Sequence, residues 1–208
     1  MPIKKEPAVG PVTKAEIEQA AFRCFSEKGY HATMADISGS VHLKAQSLYS
    51  HFPNKRLLFE KVIRDEINCY FSEISTYCES VLSKSSCHIR LKKLYFFTME
   101  YFRMHGRIRF WRQIPLLGRE ALLLSPLLEA MKSSEKALTQ RVRCYIAEGF
   151  ASGELMYGSA DEVLLLYQCV IQGSLDSLLL SSDEAVRDGM QARIWSAFEK
   201  LLMTSGGM

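Results

Sequence analysis

Lys44-Ala45-Gln46-Ser47-Leu48-Tyr49-Ser50-His51-Phe52-Pro53-Asn54-Lys55 decides how this 208-residue chain is read. The residues from about Lys44 to Ser50 suit a short helix. Phe52-Pro53 ends it, because a proline drives the residue before it out of the helical region. Asn54 then stands where its side chain can cap a long helix running from Lys55 to about Ser80. Upstream, Thr33 with Asp36 three positions on is a second cap, opening a helix of about two turns that ends near Ser40. Two short helices joined by a turn of three or four residues form a helix-turn-helix arrangement. Ile37, Val41, Leu43, Leu48 and Phe52 are the apolar residues that would hold them at a fixed angle. The remaining side chains of the second short helix, Lys44, Gln46, Ser47, Tyr49, Ser50 and His51, suit phosphates and base edges. From Val41 to Lys55 there is no acidic residue to repel a duplex.

A first helix props this pair. Thr13-Lys14-Ala15-Glu16 is a capping box, in which the hydroxyl and the carboxylate each satisfy an amide at the other's end. Ile17, Ala20, Ala21, Cys24 and Phe25 follow as one apolar stripe at helical spacing, and Gly29 stops the helix. Charge sharpens the picture. The chain has 26 Lys+Arg and 23 Asp+Glu, and the whole excess of +3 falls within residues 1–59; the remainder is balanced. An anionic partner is therefore sought at the N-terminal end.

The stretch from Thr13 to Leu58 resembles the DNA-binding domain of the TetR family of bacterial transcriptional regulators. The resemblance rests on Ile17, Ala20-Ala21, Phe25, Gly29-Tyr30, Thr33, Ile37 and, above all, Leu48 through Lys55. It implies an all-α protein: an N-terminal three-helix helix-turn-helix domain followed by a larger helical ligand-binding and dimerisation domain. Expected boundaries are a flexible arm over 1–12, the DNA-binding domain over 13–58 and the effector and dimer domain over 59–208, with about nine helices. By the same resemblance, Tyr49 meets a phosphate with His51 beside it. Thr33 and Lys55 sit at helix N-termini, where free amides and the positive dipole end favour phosphate. Lys44, Ala45, Gln46 and Ser47 are the expected base readers, since Lys pairs with guanine and Gln with adenine. Two departures stand out. Val41-His42 occupies the turn where the family usually has Ala-Gly, and Lys44 and Gln46 replace Ser and Gly at the start of the recognition helix. A turn residue with positive φ suits His less well than Gly.

Beyond Leu58 the chain stays helical. The segment from about Ala160 to Leu180 opens on a capping box, Ser159 to Glu162, and is apolar nearly all round, so it is buried on more than one side. Gly173, Ser174 and Ser177 form a strip of small residues, and the last helix adds Ile194, Trp195 and Phe198. The resemblance implies that these two helices pair with their copies in a four-helix homodimer interface. Its candidates are Leu164, Ile171, Ser174, Leu175, Leu178, Ile194, Trp195 and Phe198. It also implies an effector pocket within the aromatic-rich region 88–157, for which Tyr95, Phe96, Met99, Phe102, Phe110, Trp111 and Tyr145 are candidates. Arg103, His105, Arg107, Arg109 and Arg112 make the densest basic cluster, read as a solvated face, a partner for acids such as Glu66 and Glu73, or an anion site.

The expected function is a homodimeric repressor on a palindromic double-stranded DNA operator, released by a small-molecule effector. An activator, a DNA binder without effector and a helical protein-interaction module are the alternatives. No Gly-rich phosphate loop, HExxH or triad context is present, so no catalytic residue and no enzyme activity are expected. Six cysteines without a CxxC pair suit free thiols in a reducing compartment, with no metal and no cofactor. No apolar segment follows Met1-Pro2-Ile3-Lys4-Lys5, and the run from Val163 to Leu175 is broken by Asp176 short of a membrane span. The expected location is the cytoplasm, with no membrane partner.

Overall fold

The computed structural model describes residues 12–81, 85–118, 120–156, 158–180 and 183–203, so the arm expected over 1–12 lies, apart from Val12, outside the described residues. Among these residues there are ten α-helical segments, three 3-10 turns and no strand. The helices are α1 (Lys14–Lys28), α2 (Met34–Ser40), α3 (Ala45–His51), α4 (Lys55–Ser80) and α5 (Cys87–Arg103). They continue as α6 (Arg107–Gln113), the single turn α7 (Glu120–Leu123), α8 (Ser125–Ala151), α9 (Ala160–Leu180) and α10 (Glu184–Met203).

Local chemistry starts and stops these helices. Thr13 Oγ1 accepts from the Glu16 amide at 3.3 Å while the Thr13 amide donates to Glu16 Oε2 at 2.7 Å, closing the box that opens α1. Thr33 and Asp36 repeat the exchange at α2, with 3.1 and 2.8 Å. Asn54 Oδ1 accepts from the Leu57 amide at 2.9 Å and starts α4. Ser159 and Glu162 do the same for α9. The start of α5 is different. Its first amides, of Cys87 and His88, donate to the carboxylate of Glu154, both at 2.8 Å, so a residue 67 positions away satisfies the donors that the helix leaves free.

The turn between α2 and α3 is a Schellman motif. The Leu43 amide donates to Ser38 O at 2.9 Å and the His42 amide to Gly39 O at 3.3 Å, with His42 left-handed at φ 54°. The position that glycine usually fills is held here by histidine.

Two buried clusters result. One gathers α1, α2 and α3 around Ile17, Phe25, Ile37 and Leu48, and extends past Leu58 to Phe59, Ile63 and Phe110. The other joins α4, α5, α8, α9 and α10 around Leu91, Tyr95, Ile146, Tyr167 and Trp195. The short helix α6 belongs to both. Phe110 stacks 5.1 Å from Phe22 and 6.3 Å from Phe59 in the first, while its neighbour Trp111 lies 5.4 Å from Phe102 and 5.6 Å from Tyr70 in the second. Gly29, at φ 58°, ends α1 so close to α6 that a Cβ there would sit 2.8 Å from Gln113 Oε1. Gly149 allows a similar approach of α8 to α5, where a Cβ would meet Cys87 at 2.8 Å.

By length and composition α9 is long enough and apolar enough to cross a membrane, against the expectation from the shorter run Val163 to Leu175. In this fold it packs instead against α5, α8 and α10, with Val163, Tyr167, Leu175 and Leu178 buried.

Candidate functional site

Leu48 and Phe52 anchor α3 by burial in the first cluster, and that anchoring fixes which side chains are left outside. Lys44, Ala45, Gln46, Ser47, Ser50 and His51 are exposed, and the Tyr49 ring keeps 49% of its surface open. A hydrogen-bonding surface with one cation, Lys44, at its start therefore lies on one short helix. Lys44 is its N-cap residue, with extended backbone.

The two helix-start residues are engaged within the fold. Thr33 spends both its amide and its hydroxyl on Asp36, whose other oxygen pairs with Lys28 Nζ at 2.6 Å. Lys28, followed by the Thr33 hydroxyl and amide, holds the Asp36 carboxyl well below the usual range, so it stays charged. Lys55 donates to Tyr30 O at 2.6 Å with its ammonium 4.2 Å from the Tyr30 ring centroid. This ties the start of α4 to the Gly29-Tyr30 turn. The exposed face of α3 is thus left open, while Thr33 and Lys55 are engaged in the turns that hold the helices beside it.

A cavity of about 530 Å³ lies between α4, α5, α6, α8 and α9. Of the expected pocket residues, Phe102 and Trp111 line it. The other five do not line this cavity. Tyr95 turns towards α9 and α10, its hydroxyl bonded to Ser174 Oγ at 2.8 Å and to Gln191 O at 3.2 Å. Phe96 packs edge-on against Tyr95 at the surface, and Met99 is buried away from the void. Phe110 faces the first cluster, and Tyr145 lies under the Arg90 guanidinium at 4.7 Å. On α5 the cavity face is the neighbouring stripe Leu94, Thr98 and Phe102. The wall residues not foreseen include Tyr70 and Ile74 of α4, Thr139 and Val142 of α8, and Gln168 of α9; their only signal in the sequence is helical spacing. Burial pushes the Tyr70 hydroxyl up to about 12, so it remains a neutral donor.

The basic cluster is largely paired. Arg107 faces Glu66 at 3.4 Å and covers the Tyr101 ring at 4.1 Å, while burial pushes the Glu66 carboxyl up against the opposing pull of Arg107. Arg112 meets Asp176 at 2.7 Å and Gln172 Oε1 at 3.2 Å, and Arg103 meets Glu100 at 2.7 Å. Glu73 instead accepts from the Cys69 thiol at 2.9 Å.

The residues expected to meet a second copy mostly point inward. Ser174, Leu175, Leu178, Trp195 and Phe198 are buried within the subunit, Leu164 and Ile171 line the cavity, and Ile194 is half-buried. A helix apolar all round conceals which side is outside. The outward face of α9 carries Leu165, 62% exposed, with Cys169, Gly173 and Leu180; that of α10 carries Val186, Gly189, Ala192 and Ala197. Among the described residues, nothing outside the glycine's own helical backbone approaches within 4 Å of a Cβ built on Gly173 or Gly189.

Residues 17–62 match the family described as bacterial regulatory proteins, tetR family. The HTH-type negative transcriptional regulator IcaR of the biofilm operon icaADBC, from Staphylococcus aureus (strain Newman), is 32% identical over 89 residues, which are 42% of this chain and 45% of IcaR. The chain therefore spans less than half the length of the curated relatives it matches. Two solved structures share the fold. A tetR-family regulatory protein from Rhodococcus RHA1 superposes with a TM-score of 0.67 at 16% identity, over 93% of this chain and 100% of the other. The ketosteroid transcriptional regulator KstR2 of Mycobacterium tuberculosis does so with 0.67 at 18%, over 91% and 97%.

Proposed function

We propose that this chain is a DNA-binding transcriptional regulator of the tetR family rather than an enzyme, and that it acts as a homodimeric repressor, lifted from a palindromic operator by a small molecule in the 530 Å³ cavity. The observation that carries this reading is the double attachment of α6. Phe110 is fixed in the core that holds α3, and Trp111, one residue on, forms part of the cavity wall. A ligand that displaces Trp111 must move Phe110 with it, because a seven-residue helix has little internal give. Movement of that core resets the position of α3, and the cost of the mismatch with DNA is the coupling free energy between the two sites.

Lys44, Gln46 and Ser47 read bases in the major groove, and Tyr49 and His51 hold phosphates. Two copies place their recognition helices about 34 Å apart, one turn of the duplex. The outward face of α9 and α10 supports such a pairing, since Gly173 and Gly189 let two helices approach closely around Leu165 and Val186. Repression is the sense in which IcaR is described, and occupancy of a promoter by a dimer is the simplest route to it. As a DNA-binding regulator the protein works in the cytoplasm.

The test is fluorescence anisotropy with DNA from upstream of its own gene, over a salt series. Specific binding to a two-fold symmetric site that weakens steeply with salt supports the reading. Equal affinity for every duplex refutes it. Light scattering of Leu165→Arg checks the dimer face: a shift from dimer to monomer is expected, and an unchanged mass excludes that surface.

A further inference from the structure

The charges that line the cavity are unequally answered. Two lining residues are charged, Arg112 and Glu135. Arg112 is paired with Asp176 at 2.7 Å and held by Gln172 through its terminal nitrogens, with its Nε buried and without a hydrogen-bond partner among the described residues. Glu135 of α8 has neither an ion pair nor a hydrogen bond among the described residues; only the field of Lys132, one turn earlier, acts on it. Glu135 is exposed and also lines the cavity, and the partial loss of water pushes its carboxyl up from the ordinary value, Lys132 opposing. Behind it the wall is aromatic: Tyr70, Phe71, Phe102, Trp111 and Tyr167. Aromatic faces and a carboxylate left without a counter-charge both favour a cation, and neither favours an anion. The remaining polar groups, such as Thr98 and Thr139, are neutral. The volume lies within the range of drug-sized ligand sites, roughly 300–1,000 Å³.

We propose that the effector is an amphipathic organic cation, a bulky apolar body bearing one ammonium-like charge, with the body among the aromatic rings and the charge beside Glu135. This names the ligand class for the cavity already read as the effector site, and it rests on that reading. The body enters first, since its burial drives binding, and the charge stays beside Glu135, which offsets its partial desolvation.

Three probes of similar shape separate the possibilities: tetraphenylphosphonium, neutral triphenylphosphine oxide and tetraphenylborate. Each is titrated calorimetrically into the full chain, into Glu135→Gln and into Ile171→Trp, which fills the cavity. The expected result is that the cation binds the full chain more tightly than the other two. Glu135→Gln should lose about tenfold in cation affinity while keeping that for the neutral probe. Ile171→Trp should lose binding of both. If Glu135→Gln leaves the cation's affinity unchanged, or the borate binds best, the cationic class is wrong while the cavity reading survives. Cation binding that persists in Ile171→Trp places the site elsewhere and overturns the proposal. If no probe binds the full chain, the cationic class is overturned while the cavity reading survives.

Discussion

His42 carries a conformational cost that a single substitution can remove. It occupies the left-handed position of the Schellman turn between α2 and α3, at φ 54°, with its side chain exposed. Left-handed backbone costs a residue with a Cβ about 1–2 kcal/mol, less for histidine than for most. Glycine removes that cost but loses about 0.5–1 kcal/mol more chain entropy on folding. The difference leaves His42→Gly more stable by roughly 0.5–1 kcal/mol, and raises the melting temperature by about 1–4 °C for a chain of this size. His42→Ala is the control, because it removes the imidazole and keeps the strain. Urea unfolding followed by circular dichroism, at fixed protein concentration, reads both as a shift of midpoint at constant slope. A His42→Gly protein no more stable than the wild type, or a His42→Ala protein as stable as His42→Gly, would refute the strain argument.

Other perturbations probe the caps, the core and the DNA face. Asp36 is held below its ordinary value in the folded chain, so its contribution is complete above about pH 4 and is lost as the pH falls towards the folded value. The stability advantage of wild type over Asp36→Asn should thus be present at about pH 7 and shrink by about pH 3 in urea melts; an advantage that grows in acid contradicts the sign. Phe110→Ala should cost about 3–5 kcal/mol, since the ring is enclosed by Phe22 and Phe59; a loss below about 1 kcal/mol would show that α6 does not support the DNA-binding core. Gln46→Ala should lose about 1–3 kcal/mol at one operator position, whereas Tyr49→Phe weakens all sequences alike. Anisotropy titrations on matched and mismatched duplexes separate the two, and equal losses for Gln46→Ala on both would remove its role as a reader.

The N-terminal third is legible in sequence because its devices are local. A capping box needs only the residue three positions on, and Thr13-Glu16 and Thr33-Asp36 both close as their spacing implies, as does Ser159-Glu162 far along the chain. Leu48 and Phe52 point inward because the residues between them are polar, so the exposed face of α3 follows directly. The cavity is harder, since neighbouring aromatics differ by about a third of a helical turn and no local rule says which faces which core. Phe110 and Trp111 are such a pair, and Met99 differs from Thr98 in the same way. The outward face of the last two helices is hard to read for a related reason: α9 has no polar side to mark the outside, and Leu164 and Leu165 look alike in sequence. The capping of α5 by Glu154 spans 67 residues and leaves no sequence signature at all.

The span of α6 across both cores also decides how the molecule comes apart. Phe59, Ile63 and Phe110 complete the cluster that surrounds α1, so a fragment ending at Leu58 would leave the Phe22 and Phe25 rings uncovered on that side. The recognition helix is therefore not a detachable module. Heating the intact chain should give one endotherm rather than two, with calorimetric and van't Hoff enthalpies in agreement for each folded assembly.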